Sequence, residues 1–450
     1  MPVKRILGVL ALAGSALLAG CASDGKYSAM KEMAGYDRRV NINDIRQLHQ
    51  MDRTAIQDLE LIRYMQRIRT RLENAQGTPC NCVVLVDSFG GYEAYSLSST
   101  SIVVSAGLVA QAGSEDEIAA VIAHELGHVY ERDNIKGWMQ EAAVDLIKVG
   151  GWAAGAGGYT LLLGDSVEAA SKGLIYRRWN GEQETAADLF ATDLLLKSEY
   201  SLDGLKMALR RIADYGSQAE ERRMQSTEGC LIRNGKNISV NFTGCTQQLT
   251  ESEKSIYQAD RLSMVRESAW KASPEQRRRR TGAAPPRFAS VDYLFGLNAL
   301  VSGDKAALKR ALQKVERRTV PPALAGNAAV SNRLAMAHFL AGNNNKATSY
   351  LRASLETTDR TAWTFNHLYK EVDKSGDPKA VQKAIFDAHD ELGYMATLLP
   401  IEYYLSKRHG LTVLEAVSYG RCASNLIDDK DTYQRCTEFQ KYAANGRADW

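Results

Sequence analysis

Residues 123–133 read AHELGHVYERD, two histidines four apart with a glutamate directly after the first. On an α-helix that spacing sets His124 and His128 one turn apart on one face, so both rings can reach a single point. Two neutral imidazoles at that separation suit a tetrahedral zinc, and Glu125 then stands beside the metal's open position. The whole chain holds only seven histidines, so a pair in this register constrains the local fold more than any other feature. The residues ahead of it agree. Ser114 reads as an N-cap and Glu117 as its capping-box partner, which sets where the helix starts and hence where His124 points. A helix that spells HExxH by chance is the plain alternative, and the surroundings decide between the two.

A catalytic zinc needs three protein ligands and one exchangeable position. In EQETAAD (182–188) Glu184 stands four before Asp188, again one helical turn, on an amphipathic helix over 180–196 with Asn180 as its N-cap. Glu184 would be the third ligand. Asp188 would accept a hydrogen bond from a ligand imidazole and fix its tautomer. Alone, such an acidic pair is more often a solvated helix face; after HExxH it completes a ligand set. Upstream, Leu59, Ile62, Ile68 and Leu72 mark an amphipathic helix over 54–74 that stops at Gly77. CVVLVDS (82–88) and SIVVSAG (101–107) are β-branched runs, hence strands.

The N-terminus carries a separate signal. Lys4 and Arg5 precede an apolar run from Ile6 to Leu18, too short to anchor a chain across a bilayer. It ends in LLAGC, which resembles the lipobox of bacterial lipoproteins. That resemblance implies a signal peptide over 1–20, an acylated Cys21 as lipid anchor, and a tether over 21–40. Ala22 after the cysteine points to the outer membrane, facing the periplasm. Six further cysteines remain, an even number in a compartment that permits disulfides. Cys230 with Cys245, and Cys422 with Cys436, bracket short polar loops and are expected to pair locally, each bond contributing about 3 kcal/mol. The partners of Cys80 and Cys82 are left open, because a bond across one residue is strained and i, i+2 partners on a straight strand sit too far apart. No CxxC occurs, which argues against a zinc ribbon.

The run VGGWAAGAGGYTLLL (149–163) is uncharged but too glycine-rich for a good membrane span, and reads as buried or loop structure. Residues 216–290 are polar, with four arginines at 277–280 that read as a solvated face. In the C-terminal third, Gly342, Gly376 and Gly410 recur at a spacing of 34, each at the turn of a helix–turn–helix pattern, with an out-of-phase unit around Gly303. That period resembles the tetratricopeptide repeat. A net charge of +3 argues against nucleic acid as the main partner.

Taken in order, IVVSAGL, SEDEIAAVIAHELGHVYERD and EQETAAD resemble the HtpX/LoiP/BepA-type zinc metallopeptidases, the family that also includes the CAAX prenyl protease; the likeness covers roughly residues 55–200. It implies one zinc ion per chain on His124, His128 and Glu184, with Glu125 as catalytic base. It further implies that the strand Ile102, Val103, Val104, Ser105 pairs its backbone with an extended protein or peptide substrate. Members occur as lipoproteins, and some join the peptidase to C-terminal tetratricopeptide repeats that meet the outer-membrane assembly machinery. Three departures stand out. EAY (93–95) replaces an Asn-Ala-Phe tripeptide, Gly181 replaces an arginine ahead of Glu184, and ASPEQRRRR (272–280) lacks a histidine before its proline. The group that stabilises the oxyanion is left unassigned, with Tyr95, Tyr176 and Arg277 as candidates.

The expected fold is mainly α (α+β): a zincin-like metallopeptidase domain with a small β-sheet over 41–286, then tetratricopeptide-like helical repeats over 287–450. Residues 216–286 form a candidate lid over the cleft. The expected function is a lipid-anchored zinc endopeptidase of the cell envelope that acts on unfolded or misassembled proteins. The rival is a non-proteolytic chaperone or adaptor working through its repeats; an intact Glu125 favours the enzyme, since a platform has no physical need for a base.

Overall fold

The computed structural model describes residues 33–98, 100–131, 181–225, 231–234, 237–240, 259–298, 300, 305–395, 398–428 and 430–444. Cys21, the 149–163 run, Tyr176, Cys230, Cys245 and Gly303 lie outside them.

The two β-branched runs become β1 (Val83–Asp87) and β3 (Ser101–Ser105), parallel neighbours. A strand that the sequence reading passed over, β2 (Ala94–Ser98), pairs antiparallel with the other side of β3, so the order is β1-β3-β2. Side chains alternate across this sheet. Val84, Val86, Ala94, Ile102 and Val104 enter the main core, while Val83, Leu85, Tyr95, Leu97 and Val103 face the opposite way. On that back face they meet Leu48 of α1 (Ile42–Gln50). Burial on both faces is why β1 and β3 read as continuous apolar runs rather than alternating ones. The outer edge of β1 is occupied by residues 54–56, where Ile56 N–H donates to Val86 and Ser88 N–H to Thr54.

On the front face lie α2 (Leu59–Gln76) and α4 (Glu115–Tyr130). Asp58 caps α2 by accepting from Glu60 and Leu61 N–H, and Gly77 ends it at φ +77. The buried stripe is Leu61, Ile62, Met65, Ile68 and Leu72; Leu59 stays partly outside. α3 (Ala106–Gln111) leads from β3 towards α4. At the start of α4, Ser114 Oγ accepts from Glu117 N–H at 3.2 Å. The Glu117 carboxylate takes Gly113 N–H and the Tyr92 hydroxyl rather than Ser114's own amide, so the box closes one residue early. Asp116 in the same turn accepts from Ser201 and Gly282 N–H.

Against α4 pack α5 (Gly181–Lys197) and α6 (Leu202–Gln225), and α7 (Ala259–Trp270) closes on both of these. Gly204 allows the approach of α6: a Cβ there would lie 2.3 Å from the Asp116 carbonyl oxygen. The segment expected as a lid contains a short hairpin, β4 (Leu231–Asn234) with β5 (Asn237–Val240). Its part from 259 to 286 is fastened to the body through Asp116–Gly282, Ser201–Arg279 and the α7 contacts, with α8 (Pro274–Arg278) between. That part is wall rather than cover. Arg277, Arg278 and Arg280 are exposed, as expected of a solvated face, while the Arg279 guanidinium donates to the Ser198 carbonyl.

The C-terminal part is helical throughout: α9 (Ala289–Asn298), α10 (Lys305–Glu316), α11 (Ala328–Leu340), α12 (Asn344–Leu355), α13 (Ala362–Ser375), α14 (Pro378–Leu392), α15 (Leu399–Arg408), α16 (Thr412–Asp428) and α17 (Lys430–Ala444). Gly342, Gly376 and Gly410 sit at the turns α11/α12, α13/α14 and α15/α16, at φ +82, +71 and +67, with open space where a Cβ would be. Glycine is therefore used there for its left-handed backbone and not for close packing. The expected boundary at 286/287 is not a break in packing. Phe288, Val291, Leu294, Leu297, Leu312 and Leu334 share one core with α2, α4 and α5, and a separate core begins at Ala362. The array also leans on the back of the sheet: Asp52 accepts Trp363 N–H at 2.6 Å, and Thr54 donates to Asn327 at 3.1 Å.

Cys422 and Cys436 are bonded and tie α16 to α17. Cys80 and Cys82 are bonded too, a pairing the sequence reading left open. The chain is not straight there: Asn81 at φ +55 curls the backbone and brings the Cα atoms to 5.2 Å, within the range a disulfide spans. Among the described residues no helix is long and apolar enough to cross a membrane.

Candidate metal centre and active-site cleft

α4 presents His124 and His128 one turn apart with their Nε2 atoms 3.2 Å from each other. Between them, Gly127 meets α5: a Cβ on Gly127 would stand 3.1 Å from Ala187 Cα. That close crossing carries Glu184 to the histidines. Its Oε2 lies 3.5 Å from His124 Nε2 and its Oε1 3.5 Å from His128 Nε2. Nitrogen donors on one tetrahedral zinc stand about 3.3 Å apart, so the donor set fits that ion in both type and spacing. Glu184 is 6 % and His128 0 % exposed, which keeps bulk water from competing for the site.

Asp188 Oδ1 lies 2.9 Å from His124 Nδ1. A proton on Nδ1 then leaves the Nε2 lone pair for the metal, the outer arrangement that orients a ligand histidine. A residue missed by the sequence reading completes the centre. Arg261, on α7 and 5 % exposed, donates to Asp188 from Nε at 2.6 Å and Nη2 at 2.8 Å, and its Nη2 lies 3.2 Å from Glu184. Burial alone would raise the Glu184 and Asp188 carboxyls; the Arg261 charge and the His124 hydrogen bonds outweigh it and hold both below the usual carboxylate range. Burial likewise disfavours a charged His124, but its bonds to Asp188 and Glu184 lift it to about 10 while no metal is bound. No local pattern in YQADRL announces Arg261. The signal lies elsewhere: two carboxylates buried on α5 require a cation, and its identity depends on how α7 folds back.

Glu125, 5 % exposed, borders the cleft beside these ligands. Leu108, Val121, Leu205, Leu209 and Ile212 form an apolar side of the cleft, and Tyr92, Glu93 and Tyr95 border it as well. Of the oxyanion candidates, Tyr95 borders the cleft, yet its ring packs in the back layer and its hydroxyl donates to Asp87 at 3.0 Å. Arg277 is exposed and lies over the Trp270 ring. Neither side chain is aimed at the metal ligands. Arg53 and Glu93 explain the altered tripeptide: Glu93 forms a buried ion pair with Arg53 at 2.9 Å, and Arg53 also reaches Asp87.

The strand Ile102–Ser105 is not available to substrate. It belongs to the central strand β3, whose two edges are taken by β1 and β2. The outer edge next to α4 belongs to β2. Ser105 N–H donates to Glu93 and Tyr95 is in register with Val103. By antiparallel alternation the Ala94 N–H and C=O therefore point outward.

Residues 55–264 match the model of Peptidase family M48. The matched stretch runs from the edge of β1 to α7 and holds His124, Glu125, His128, Glu184, Asp188 and Arg261, which supports a metallopeptidase; peptidases of that family depend on zinc. No curated protein matches the chain.

Proposed function

We propose that this chain is a zinc-dependent endopeptidase of the bacterial cell envelope, anchored by acylated Cys21, that hydrolyses unfolded or misassembled envelope proteins. The observation that carries this reading is the convergence of His124, His128 and Glu184 on one point with Glu125 beside it. His124, His128 and Glu184 would hold a zinc ion, which would supply Lewis acidity beside the attacking water. Glu125 accepts that water's proton as the oxygen attacks the peptide carbonyl, then passes it to the leaving amine. Asp188 and Arg261 keep His124 and Glu184 in place throughout. An extended substrate segment lies along the open edge of β2, where Ala94 offers one donor and one acceptor. The apolar wall from Leu108 to Ile212 receives an uncharged side chain next to the bond that is cut.

The recurring left-handed glycines support reading 287–450 as a tetratricopeptide-like array that recruits client proteins or outer-membrane assembly machinery. The peptidase reading is tested by measuring bound zinc and casein cleavage for wild type and Glu125→Gln. The variant should keep about one zinc and lose activity by about 10²–10⁴-fold, because it removes the proton carrier and no ligand. Undiminished cleavage would refute the mechanism.

A further inference from the structure

The loop between α2 and β1 holds a second cluster of reactive groups. Ligand-type atoms of Glu73, Cys80 and Cys82 lie within 4.8 Å of one another, which invites a metal. The surrounding charges argue against one. Both Glu73 oxygens accept from Arg38, at 2.7 and 2.9 Å, Oε1 also accepts Cys80 N–H, and Arg69 Nε stands 3.5 Å from Oε2. The carboxylate is committed to Arg38, and Arg69 is in turn paired with Asp37, so the guanidiniums and carboxylates here already satisfy one another.

The disulfide itself contributes little to the fold. It encloses a single residue, so it removes far less chain entropy from the unfolded state than the Cys422–Cys436 bond with its sequence separation of 14. Part of that small gain is offset by Asn81, held at φ +55, where residues other than glycine are uncommon. Access is asymmetric: Cys80 is partly exposed on a loop whose Thr78, Pro79 and Asn81 are exposed, whereas Cys82 is 0 % exposed. Cys80 Sγ also receives Cys82 N–H at 3.1 Å and lies 3.8 Å from Arg38 Nη1. A thiolate on Cys80 is therefore stabilised by a donor and by the edge of the Arg38 guanidinium, which it shares with Glu73.

We propose that Cys80–Cys82 is a thiol–disulfide exchange site, independent of the peptidase centre, whose substrate is a dithiol. One thiolate of the dithiol attacks Cys80 Sγ. The Cys80–Cys82 bond breaks, its electron pair leaves on Cys82 Sγ, and a mixed disulfide forms on Cys80. The second sulfur of the dithiol then attacks the first, and the electron pair leaves on Cys80 Sγ, where Arg38 and the Cys82 amide hold it. Two electrons and two protons pass from the dithiol to the cysteine pair, and the dithiol becomes a disulfide. The site also touches the metal-bearing helix: Tyr130, the last residue of α4, donates from its hydroxyl to the Thr78 carbonyl in this loop.

The test uses the full-length folded protein, titrated with dithiothreitol, quenched with iodoacetamide and mapped by mass spectrometry. Cys80 should be alkylated in the folded protein, and Cys82 once the quenched protein is denatured, at dithiol concentrations that leave the buried Cys422–Cys436 bond intact, and oxidised dithiothreitol should restore the Cys80–Cys82 bond. In the reduced protein, Arg38→Gln should slow Cys80 alkylation at neutral pH about tenfold and move its pH profile upward, and Arg38→Lys should recover most of the rate. Labelling of both cysteine pairs in one step, or of Cys80 only on denaturation, would overturn the proposal. So would a pH profile unchanged by Arg38→Gln, or tight binding of one zinc by the reduced pair.

Discussion

At the scale of single residues, the centre is held by charge as much as by ligand geometry. His124 and Glu184 are each tied to a partner outside the metal point, and those ties meet at Asp188 and Arg261. Arg261→Met should leave the helices in place while removing the cation between two buried carboxylates. Asp188 would then lose its orientation towards His124, and Glu184 would return towards the pKa that burial alone imposes. Zinc affinity should fall about 10–100-fold, the range for losing an outer-layer partner, measured by competition with a chelating dye. Unchanged affinity would mean that α7 merely covers the site. Of this centre, His124, Glu125, His128, Glu184 and Asp188 were legible in the sequence, because each pair is one helical turn apart and the turn is a local rule. Arg261 was not, since its partners lie on another helix and nothing near it in the chain depends on them.

Among elements, the crossing of α4 and α5 decides whether a third ligand exists. Gly127→Ala would place a methyl 3.1 Å from the Ala187 backbone, and α5 must yield by a few tenths of an ångström. Over-packing of this kind costs about 1–3 kcal/mol, and it would move Glu184 away from both histidines at once. The variant should therefore lose thermal stability and zinc together; a protein that is less stable yet binds zinc as tightly would show that the crossing is not what positions Glu184. Elements with strong stops, caps or apolar runs could be read directly: α2 from its apolar stripe and its stop at Gly77, although it starts after Asp58 rather than at the expected Thr54; α4 from Ser114; β1 and β3 from their β-branched residues. β2 was not, because AYSLS is short and its apolar members, Tyr95 and Leu97, serve the back layer. Missing β2 had a direct consequence, since it assigned the substrate edge to β3, a strand with no edge to offer. The Cys80–Cys82 bond escaped for a related reason: the expected geometry assumed a straight strand, and Asn81 bends it.

For the whole molecule, the peptidase body and the first C-terminal helices form one packing unit. A chain ended near Pro286 would lose Phe288, Val291, Leu294 and Leu297 from the shared core, about 6–12 kcal/mol at 1.5–3 kcal/mol per buried side chain. That equals the whole stability of an ordinary domain, so this truncation should not fold, whereas one ended near Thr357 should fold and bind zinc, as far-ultraviolet circular dichroism and metal analysis would show. The contact between the array and the sheet should also respond to pH. Burial pushes Asp52 up to about 7, against hydrogen bonds from Trp363 and Thr361 and the Arg333 charge that favour its anion. A carboxyl raised above its unfolded value near 3.8 is most favourable to folding below that value, and its contribution is lost as pH rises through about 7. Asp52→Asn keeps an acceptor for Trp363 N–H without a charge, so its melting temperature should gain on wild type from pH 4 to about 7 and then level off; a constant difference would rule out this titration. The sheet itself leaves one last consequence. Residues 54–56 close the outer edge of β1, so among the described residues the three-stranded sheet meets the cleft along β2, where the Ala94 backbone points outward. A bare edge recognises main chain and is indifferent to the order of side chains, and in a native protein the main chain is already engaged. On the function proposed above, an enzyme built this way would discriminate by the state of its target rather than by its identity, sparing a protein while it is folded and taking the same protein once it has come apart.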